Sequence, residues 1–476
     1  MTKLLNLKVD RSAKTPLAEQ IQHGIATAIR KGVLEPGVRL PSWQDLAAQL
    51  GVARGTVRKA YEKLDAAQLI VASRAAGTRV APHARAEAKS EQQPDPGSLV
   101  EIYRDMTQGP AFFQMGIPAT ETFPATLIAR IRAKAIRAET SAVPMYPDPR
   151  GEPALRREIA RYLAVARGID CAPSQILVTG GFNAGLGLAL RALGMEGQAA
   201  WIEDPCFPLT RKGLELAQLS LSPIPVDADG IDVDHGLRHA AGAKLVVVTP
   251  GQQAPLGTIL SLERRIRLLD WAAAKQAWVI EDDYLSELQL AGRAAPALAS
   301  LDRAGRVIHL GSFSKTISPT LRLGFIVAPT ALVARFAEVA LCLAPAPGPS
   351  IQLATAEFMR EGHYLRHLRR LKRAYGAKQE ALLAQLRPHF DPSDITAAGL
   401  AVLLRLPDGA SDVAIAQALR PFGISPSPLS IWHASTEAAR SGLLLGVATS
   451  PAKELAKSCK RLVEVIRRFS RESDGR

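Results

Sequence analysis

The residues of this chain best suited to chemistry stand directly after short apolar runs. Gln175–Thr179 leads into Gly180-Gly181-Phe182-Asn183-Ala184-Gly185, Ala277–Ile280 into Glu281-Asp282-Asp283-Tyr284, and Val307–Leu310 into Gly311-Ser312-Phe313-Ser314-Lys315. Each has a bland use on its own. Glycines make turns, acidic pairs cap them or hold magnesium, and a lysine past a strand is commonly a surface charge. Together they meet the needs of one cofactor, pyridoxal 5′-phosphate (PLP). The Lys315 amine can form a Schiff base with its aldehyde, and the Asp282 carboxylate can keep the pyridine nitrogen protonated. The Tyr284 phenol can bond the ring hydroxyl, while Ser312 and Arg322 can grip the phosphate dianion. Backbone N–H groups around Gly181 and Asn183, where a helix over Leu186–Leu193 is expected to open, favour the same anion.

These groups act together only if the fold sets them side by side. Gln175–Thr179, Leu245–Val248, Ala277–Ile280, Val307–Leu310 and Leu323–Val327 read as buried strands separated by helical stretches. That alternation predicts a doubly wound α/β sheet, whose ligands gather at the carboxyl ends of strands. The domain is expected over residues 104–476. Residues 83–103 are rich in Ala, Glu, Gln, Pro and Lys and contain Pro94-Asp95-Pro96-Gly97, so they read as a flexible tether.

Residues 1–82 form a different module. Residues 1–85 hold 14 Lys/Arg against 6 Asp/Glu, a net +8 within the +14 of the whole chain. Such a concentration points to an acidic polymer as partner. Thr15 is placed to cap a helix beginning at Pro16, with Leu17, Ile21, Ile25 and Ile29 as its apolar stripe. Ser42-Trp43-Gln44-Asp45 has capping-box spacing for a second helix that stops at Gly51. A third runs from about Ala53 to Ala66, with Val57, Ala60, Tyr61 and Leu64 inward, Arg54 and Arg58 on the other side, and Thr56 and Lys59 nearby. Ile70–Val80 reads as two strands around Ala75-Ala76-Gly77. Two short helices joined at a glycine, the second basic near its start, suit entry into a DNA major groove. A small basic domain that binds protein is the alternative on periodicity alone.

The chain is not expected to span a membrane. Its most apolar stretch, Leu332–Leu343, is interrupted by Arg335 and Glu338, and the first ten residues lack a secretory signal. Cys171, Cys206, Cys342 and Cys459 have no paired spacing for metal or disulfide, which predicts reduced thiols in a cytoplasmic protein.

Two resemblances sharpen this reading. Leu40-Pro41-Ser42, Asp45-Leu46-Ala47, Leu50–Val57 and Ala60–Leu64 resemble the winged helix-turn-helix of the GntR family, and Gly77-Thr78-Arg79-Val80 resembles its wing. The resemblance implies a double-stranded DNA operator contacted by Arg39, Ser42, Arg54, Thr56, Arg58, Gly77 and Thr78. Trp43 and Gly55 depart from the polar residues usual there. In the large domain, Tyr146–Gly151 with Leu155-Arg156, and Glu203–Phe207, resemble fold-type I aminotransferases. So do Pro250–Gly257 with Leu262–Arg265, Ser312–Lys315, and Leu321–Gly324. The order of domains resembles the MocR-type subgroup of GntR regulators. The fold class implied is an α+β winged helix-turn-helix followed by an α/β fold-type I PLP-dependent aminotransferase-like domain. By the same resemblance Phe207 would stack on the cofactor ring, and Tyr146 would reach the phosphate in a partner subunit of a head-to-tail homodimer.

Several positions depart from the aminotransferase pattern. Phe182 and Asn183 replace threonine and glutamine in the phosphate loop, and Phe207 replaces a tyrosine. Ala254 replaces an asparagine beside the ring hydroxyl, for which Gln252 or Gln253 could substitute. Leu444, in Leu443-Leu444-Leu445-Gly446, stands where aminotransferases carry the arginine that grips the substrate carboxylate, with Arg440 a possible replacement. Losing a bidentate anchor of that kind removes substrate orientation. The sequence therefore favours a regulator that senses PLP or an amino compound, with an active aminotransferase bearing a DNA-binding appendage as the alternative.

Overall fold

Apolar spacing of three and four residues builds the first part of the chain. In a computed structural model, residues 7, 9–73, 77–82, 100, 103, 111–290, 292, 294–407, 410–435 and 439–474 are described. Most of the expected linker and the wing tip Arg74, Ala75 and Ala76 lie outside them. The chain divides into two compact units, Met1–Ser98 and Leu99–Arg476.

In the first unit, α1 (Leu17–Arg30) buries Ile21, Ile25 and Ile29. The expected cap by Thr15 does not form. Pro16, with ψ of 139°, itself takes the cap position, so Thr15 lies one residue too far out and no side chain caps the helix. Helix α2 (Trp43–Leu50) starts as expected, with the Ser42 hydroxyl accepting the Asp45 N–H, and it ends on Gly51 in the left-handed conformation. Helix α3 (Arg54–Ala66) buries Val57, Ala60, Tyr61 and Leu64. The Tyr61 hydroxyl donates to the Pro41 carbonyl at 2.8 Å, tying α3 to the start of α2. Strands β1 (Ile70–Ser73) and β2 (Gly77–Val80) pair antiparallel, and Arg39 bridges to Arg79 beside them.

The second unit contains an eight-stranded mixed sheet. Its strands are β3 (Ile176–Thr179), β4 (Ala199–Asp204), β5 (Ser220–Asp227), β6 (Gly230–Ile231), β7 (Leu245–Val248), β8 (Trp278–Asp283), β9 (Val307–Ser312) and β10 (Gly324–Val327). Their order is β3-β10-β9-β8-β7-β4-β5-β6. The neighbours from β9 to β5 run parallel, while β10 is antiparallel to both β9 and β3. All five expected strands form, whereas β4, β5 and the short β6 were not anticipated. Alternation along the strands divides the core. Leu177, Ile280, Ile308, Leu310 and Ile326 pack with helices Phe182–Leu193 and Val333–Leu343. Ile176, Val178, Phe325 and Val327 join a larger cluster with helices Ala125–Ser141 and Pro153–Ala166. A second, antiparallel sheet follows, in the order β11 (Ile395–Ala398), β12 (Ala401–Arg405), β14 (Gly442–Gly446), β13 (Ser427–Pro428).

Because β10 runs backwards, its amino end lies beside the carboxyl ends of β3 and β9. One edge of the sheet thus gathers Gly180-Gly181, Arg322, Ser312–Lys315 and Asp282–Tyr284. Close backbone approach there needs glycine. A Cβ on Gly311 would fall 2.1 Å from the Phe325 ring, and one on Gly324 would fall 2.9 Å from the Gly311 carbonyl oxygen. Gly311→Ala is therefore expected to lower stability by about 1–3 kcal/mol through overpacking against Phe325. Urea denaturation measures this, and an unchanged midpoint would show that the ring can yield.

Candidate functional site

Strand β8 was expected to end before its acidic residues, yet it continues through Asp283. Alternation then turns Asp282 to one face and Glu281 and Asp283 to the other. Asp282 is buried and its Oδ1 has no hydrogen-bond partner. Burial, then the neighbouring Asp283 and Glu203, hold its carboxyl well above the usual range, while Lys315 acts in the opposite sense. Asp282 lines a cavity with Glu203, Phe207, Thr249 and Ala254. Burial pushes the Glu203 carboxyl up to about 7, although the Thr249 hydroxyl donates to it at 2.5 Å.

Lys315 follows β9, which itself extends through Ser312. Its Nζ donates to the Gly116 carbonyl at 2.7 Å, and burial depresses the amine to about 8 against the opposing pull of Asp282. Gly116, at φ of +79°, was not anticipated; a Cβ there would come 2.8 Å from Nζ. Tyr284 is half-buried just past β8, and burial, then Asp282, push its hydroxyl upward. The Ser312 hydroxyl accepts the Ser314 N–H at 3.1 Å. Arg322 adopts the left-handed conformation, at φ of +48°, and brings its guanidinium carbon within 3.9 Å of where a Gly181 Cβ would lie.

The helix after the glycine loop opens at Phe182, four residues earlier than expected, with Gly181 in the cap position at φ of +93°. The first-turn N–H groups that lack an intrahelical acceptor therefore include those of Phe182 and Asn183, and the Asn183 side chain is exposed. Phe207 caps the helix Pro208–Leu216, its ring 5.6 Å from that of Trp432. Lys315, Asp282, Tyr284, Phe207, Ser312, Arg322 and Gly181 thus share one end of the sheet. Tyr146 does not join them and is fully exposed. Its segment is held instead by Asp148, which pairs with Arg150 at 2.8 Å and Arg156 at 2.9 Å.

The departures resolve in geometric terms. The Gln253 amide nitrogen donates to the carbonyls of Pro205 and Ala254, whereas buried Gln252 has an Oε1 without a partner, so Gln252 is the residue with spare capacity. Leu444 is buried in an apolar cluster with Ala254, Leu403, Leu429 and Trp432, against which Phe207 and Tyr284 pack. Arg440 is exposed.

Behind β8 lies a polar network that sequence reasoning missed. Arg167 Nε donates to Asp283 at 2.7 Å, with the two side chains 2% and 4% exposed. Glu281 accepts the N–H groups of Leu298 and Ala299 and meets His309 Nδ1 at 3.0 Å. Arg167 and His309 come from other elements and carry no local pattern that would have marked them. Among the described residues no group of His, Cys, Asp or Glu is placed to hold a metal ion, and no helix is long and apolar enough to cross a membrane.

In the first unit, Arg54 and Arg58 are exposed at the start of α3, and Thr56 is half-buried between them. Arg58 also meets Glu62 at 3.4 Å on the surface. The Ser42 hydroxyl is engaged in its cap. The Arg39 guanidinium lies against Gly77, where a Cβ would come 3.0 Å from Nε, and Thr78 is half-buried with its carbonyl bonded to Leu40. Trp43 is partly exposed, and nothing lies within 4 Å of a Cβ built on Gly55.

Comparison with known proteins matches residues 17–80 to bacterial regulatory proteins of the gntR family, and residues 113–462 to aminotransferase class I and II. The chain is 33% identical over 475 residues to the "Probable rhizopine catabolism regulatory protein MocR" of Rhizobium meliloti, covering 96% of this chain and 95% of that protein. It is 33% identical to the pyridoxine biosynthesis transcriptional regulator PdxR of Corynebacterium glutamicum, covering 78% of each chain. The kynurenine aminotransferase of Pyrococcus horikoshii superposes with a TM-score of 0.70 at 22% identity, over 80% of this chain and 96% of that one.

Removing Arg167 would take the paired guanidinium away from the buried Asp283 carboxylate. Arg167→Met should cost about 3–5 kcal/mol in urea denaturation. Adding Asp283→Asn to it should restore part of that loss; equal stability of wild type and the single variant would refute the pairing.

Proposed function

This chain belongs to the MocR-type subgroup of GntR-family transcriptional regulators, and on that premise we propose that its aminotransferase-like domain binds PLP at Lys315. PLP, or an amino compound meeting it there, would control how the winged helix-turn-helix engages a double-stranded operator. The carrying observation is the buried Asp282 carboxylate with an unpartnered oxygen, near enough to Lys315 for each to bias the other's protonation. A buried polar atom left unmade is costly, so the donor set fits a ligand that brings a proton to that oxygen. Bound PLP would supply a protonated pyridine ring able to take up electrons. Asp282 would hold that ring proton, Phe207 would cover the ring face, and Tyr284 would bond the ring hydroxyl. Ser312, Arg322 and the N–H groups at Gly181–Asn183 would grip the phosphate. The Lys315 amine, depressed to about 8, is partly unprotonated near neutrality and so is available as a nucleophile.

On the DNA side, α3 would enter the major groove with Arg54, Thr56 and Arg58 toward bases and phosphates, and Arg39, Ser42, Gly77 and Thr78 would meet the backbone. A head-to-tail homodimer accounts for the exposed run Val143, Met145 and Tyr146. In it, Tyr146 would reach the phosphate held by the partner. Ligand binding alters operator affinity only if it favours one arrangement of the dimer over another. The alternative reading, an active aminotransferase with a DNA-binding appendage, is favoured by the complete set of Lys315, Asp282 and Tyr284. Buried Leu444 weighs against it, because the side chain at that place carries no charge to hold a substrate carboxylate. Supplying an amino donor with a keto acid separates the two: repeated turnover means the enzyme, and altered operator affinity without turnover means the regulator.

Three outcomes test the proposal. Between pH 7 and pH 9 the unprotonated share of an amine near 8 rises about tenfold. The rate of PLP loading, followed by visible absorbance, should rise alike and then level off. Lys315→Arg should abolish the borohydride-stable adduct, and an adduct that persists would place the cofactor elsewhere. Arg54→Ala and Arg58→Ala should each weaken operator binding by about 1–3 kcal/mol and flatten its salt dependence. Fluorescence anisotropy across salt concentrations reads both effects; unchanged affinity would remove α3 from the interface.

A further inference from the structure

An apolar cluster can be traced outward from the Lys315 amine. Lys315 Nζ bonds the Gly116 carbonyl, and adjacent Met115 packs against the buried cluster that contains Leu403, Leu429, Trp432 and Leu444. Phe207, which lines the Asp282 cavity, and Tyr284 pack against the same cluster. Leu444 sits on β14 opposite both Leu403 of β12 and Ser427 of β13, and it is completely buried. The nearby cation Arg211 is committed to backbone, donating to the carbonyls of Ile431, Trp432 and His433. The buried polar atoms to spare on this side include Gln252 Oε1, close to Gly399 beside β11 and β12, and the ring nitrogens of His433, whose Nδ1 already faces the Asp204 carboxylate at 3.4 Å. With Arg211 committed to backbone and His433 already beside the Asp204 carboxylate, a carboxylate brought against this wall would lose its water for little positive compensation, which is unfavourable. An uncharged substituent would bury its surface there at no such penalty.

We propose that the ligand recognised beside Lys315 is a primary amine with an uncharged body, lacking a carboxylate on the carbon that bears the nitrogen. Leu444, Leu403 and Trp432 form the wall that makes this choice. The inference deepens the function proposed above and rests on PLP occupying that site.

The test uses full-length protein loaded with PLP and titrated with pairs that differ only by a carboxylate. Phenethylamine is set against phenylalanine, and 3-methylbutylamine against leucine, each followed by visible absorbance and by calorimetry. Each amine should bind at least about tenfold more tightly than its amino acid. Leu444→Arg, which places a guanidinium in the wall, should strengthen amino-acid binding about tenfold or more. Leu444→Met should keep the wild-type order, separating charge from packing. Should Leu444→Arg fail to fold, the wild-type pairs decide alone. Amino acids binding as tightly as amines, or a loaded protein that responds to neither, overturns the inference. No visible band after PLP addition overturns the cofactor reading and this inference together, whereas a normal band without discrimination overturns the inference alone.

Discussion

Three consecutive carboxylates on one buried strand would repel each other severely if they shared a face. Strand β8 avoids this by alternation, turning Glu281 and Asp283 toward Arg167 and His309 and leaving Asp282 alone on the opposite side. The two faces are nonetheless coupled through the field. Asp283 raises the Asp282 carboxyl, and each charge compensated behind the strand lessens what Asp282 must bear in front. The network around Arg167 therefore does more than fill the interior. It fixes the strand that carries the site's acid and sets the electrostatic background in which that acid sits.

The antiparallel strand β10 supplies the second constraint. A parallel strand in that position would deliver Arg322 to the far edge of the sheet. Reversed, β10 begins beside the ends of β3 and β9, so its preceding turn lays Arg322 next to Gly181. The contact is close enough that Gly311, Gly324 and Gly181 lie in near backbone contact, and side chains at the first two would collide with Phe325 or with main chain. The closeness of Arg322 to the glycine loop is thus a consequence of strand direction plus small residues, with the helix opening at Phe182 at the same end of the sheet.

Legibility in the sequence followed the range of the interactions. Helix α2 was readable because its start and stop are local: Ser42 caps Asp45 three residues on, and Gly51 has the freedom to end it. The five apolar runs were readable because burial on both faces imposes a composition, and Lys315, Asp282 and Tyr284 stood out because they follow such runs. Thr15 misled because a capping residue and a proline compete for one position, and Pro16 took it. Strands β4 and β5 escaped because their residues mix polar and apolar types, as in Ser220–Asp227, whose faces are only partly covered. Arg167, His309 and Gly116 carry no signal within their own segments. Their roles arise only when β8, β9 and the loop at Gly116 meet in space.

Leu444 shows how one position can separate a regulator's needs from an enzyme's. An anchoring arginine holds a substrate through successive proton transfers, and its value lies in fixing geometry while bonds change. A sensor needs something else, namely a difference in affinity between two arrangements of the molecule, typically a coupling of about 1–3 kcal/mol. On the proposed reading, an apolar wall would supply that difference through buried surface, without holding a substrate carboxylate in register. The lysine, carboxylate and phenol can then persist beside Leu444 under a purely binding role, because the same groups that would support turnover also hold a ring and its phosphate. On the proposed reading, a cofactor-binding set without the carboxylate anchor is what selection for ligand detection, rather than transamination, would leave in this fold.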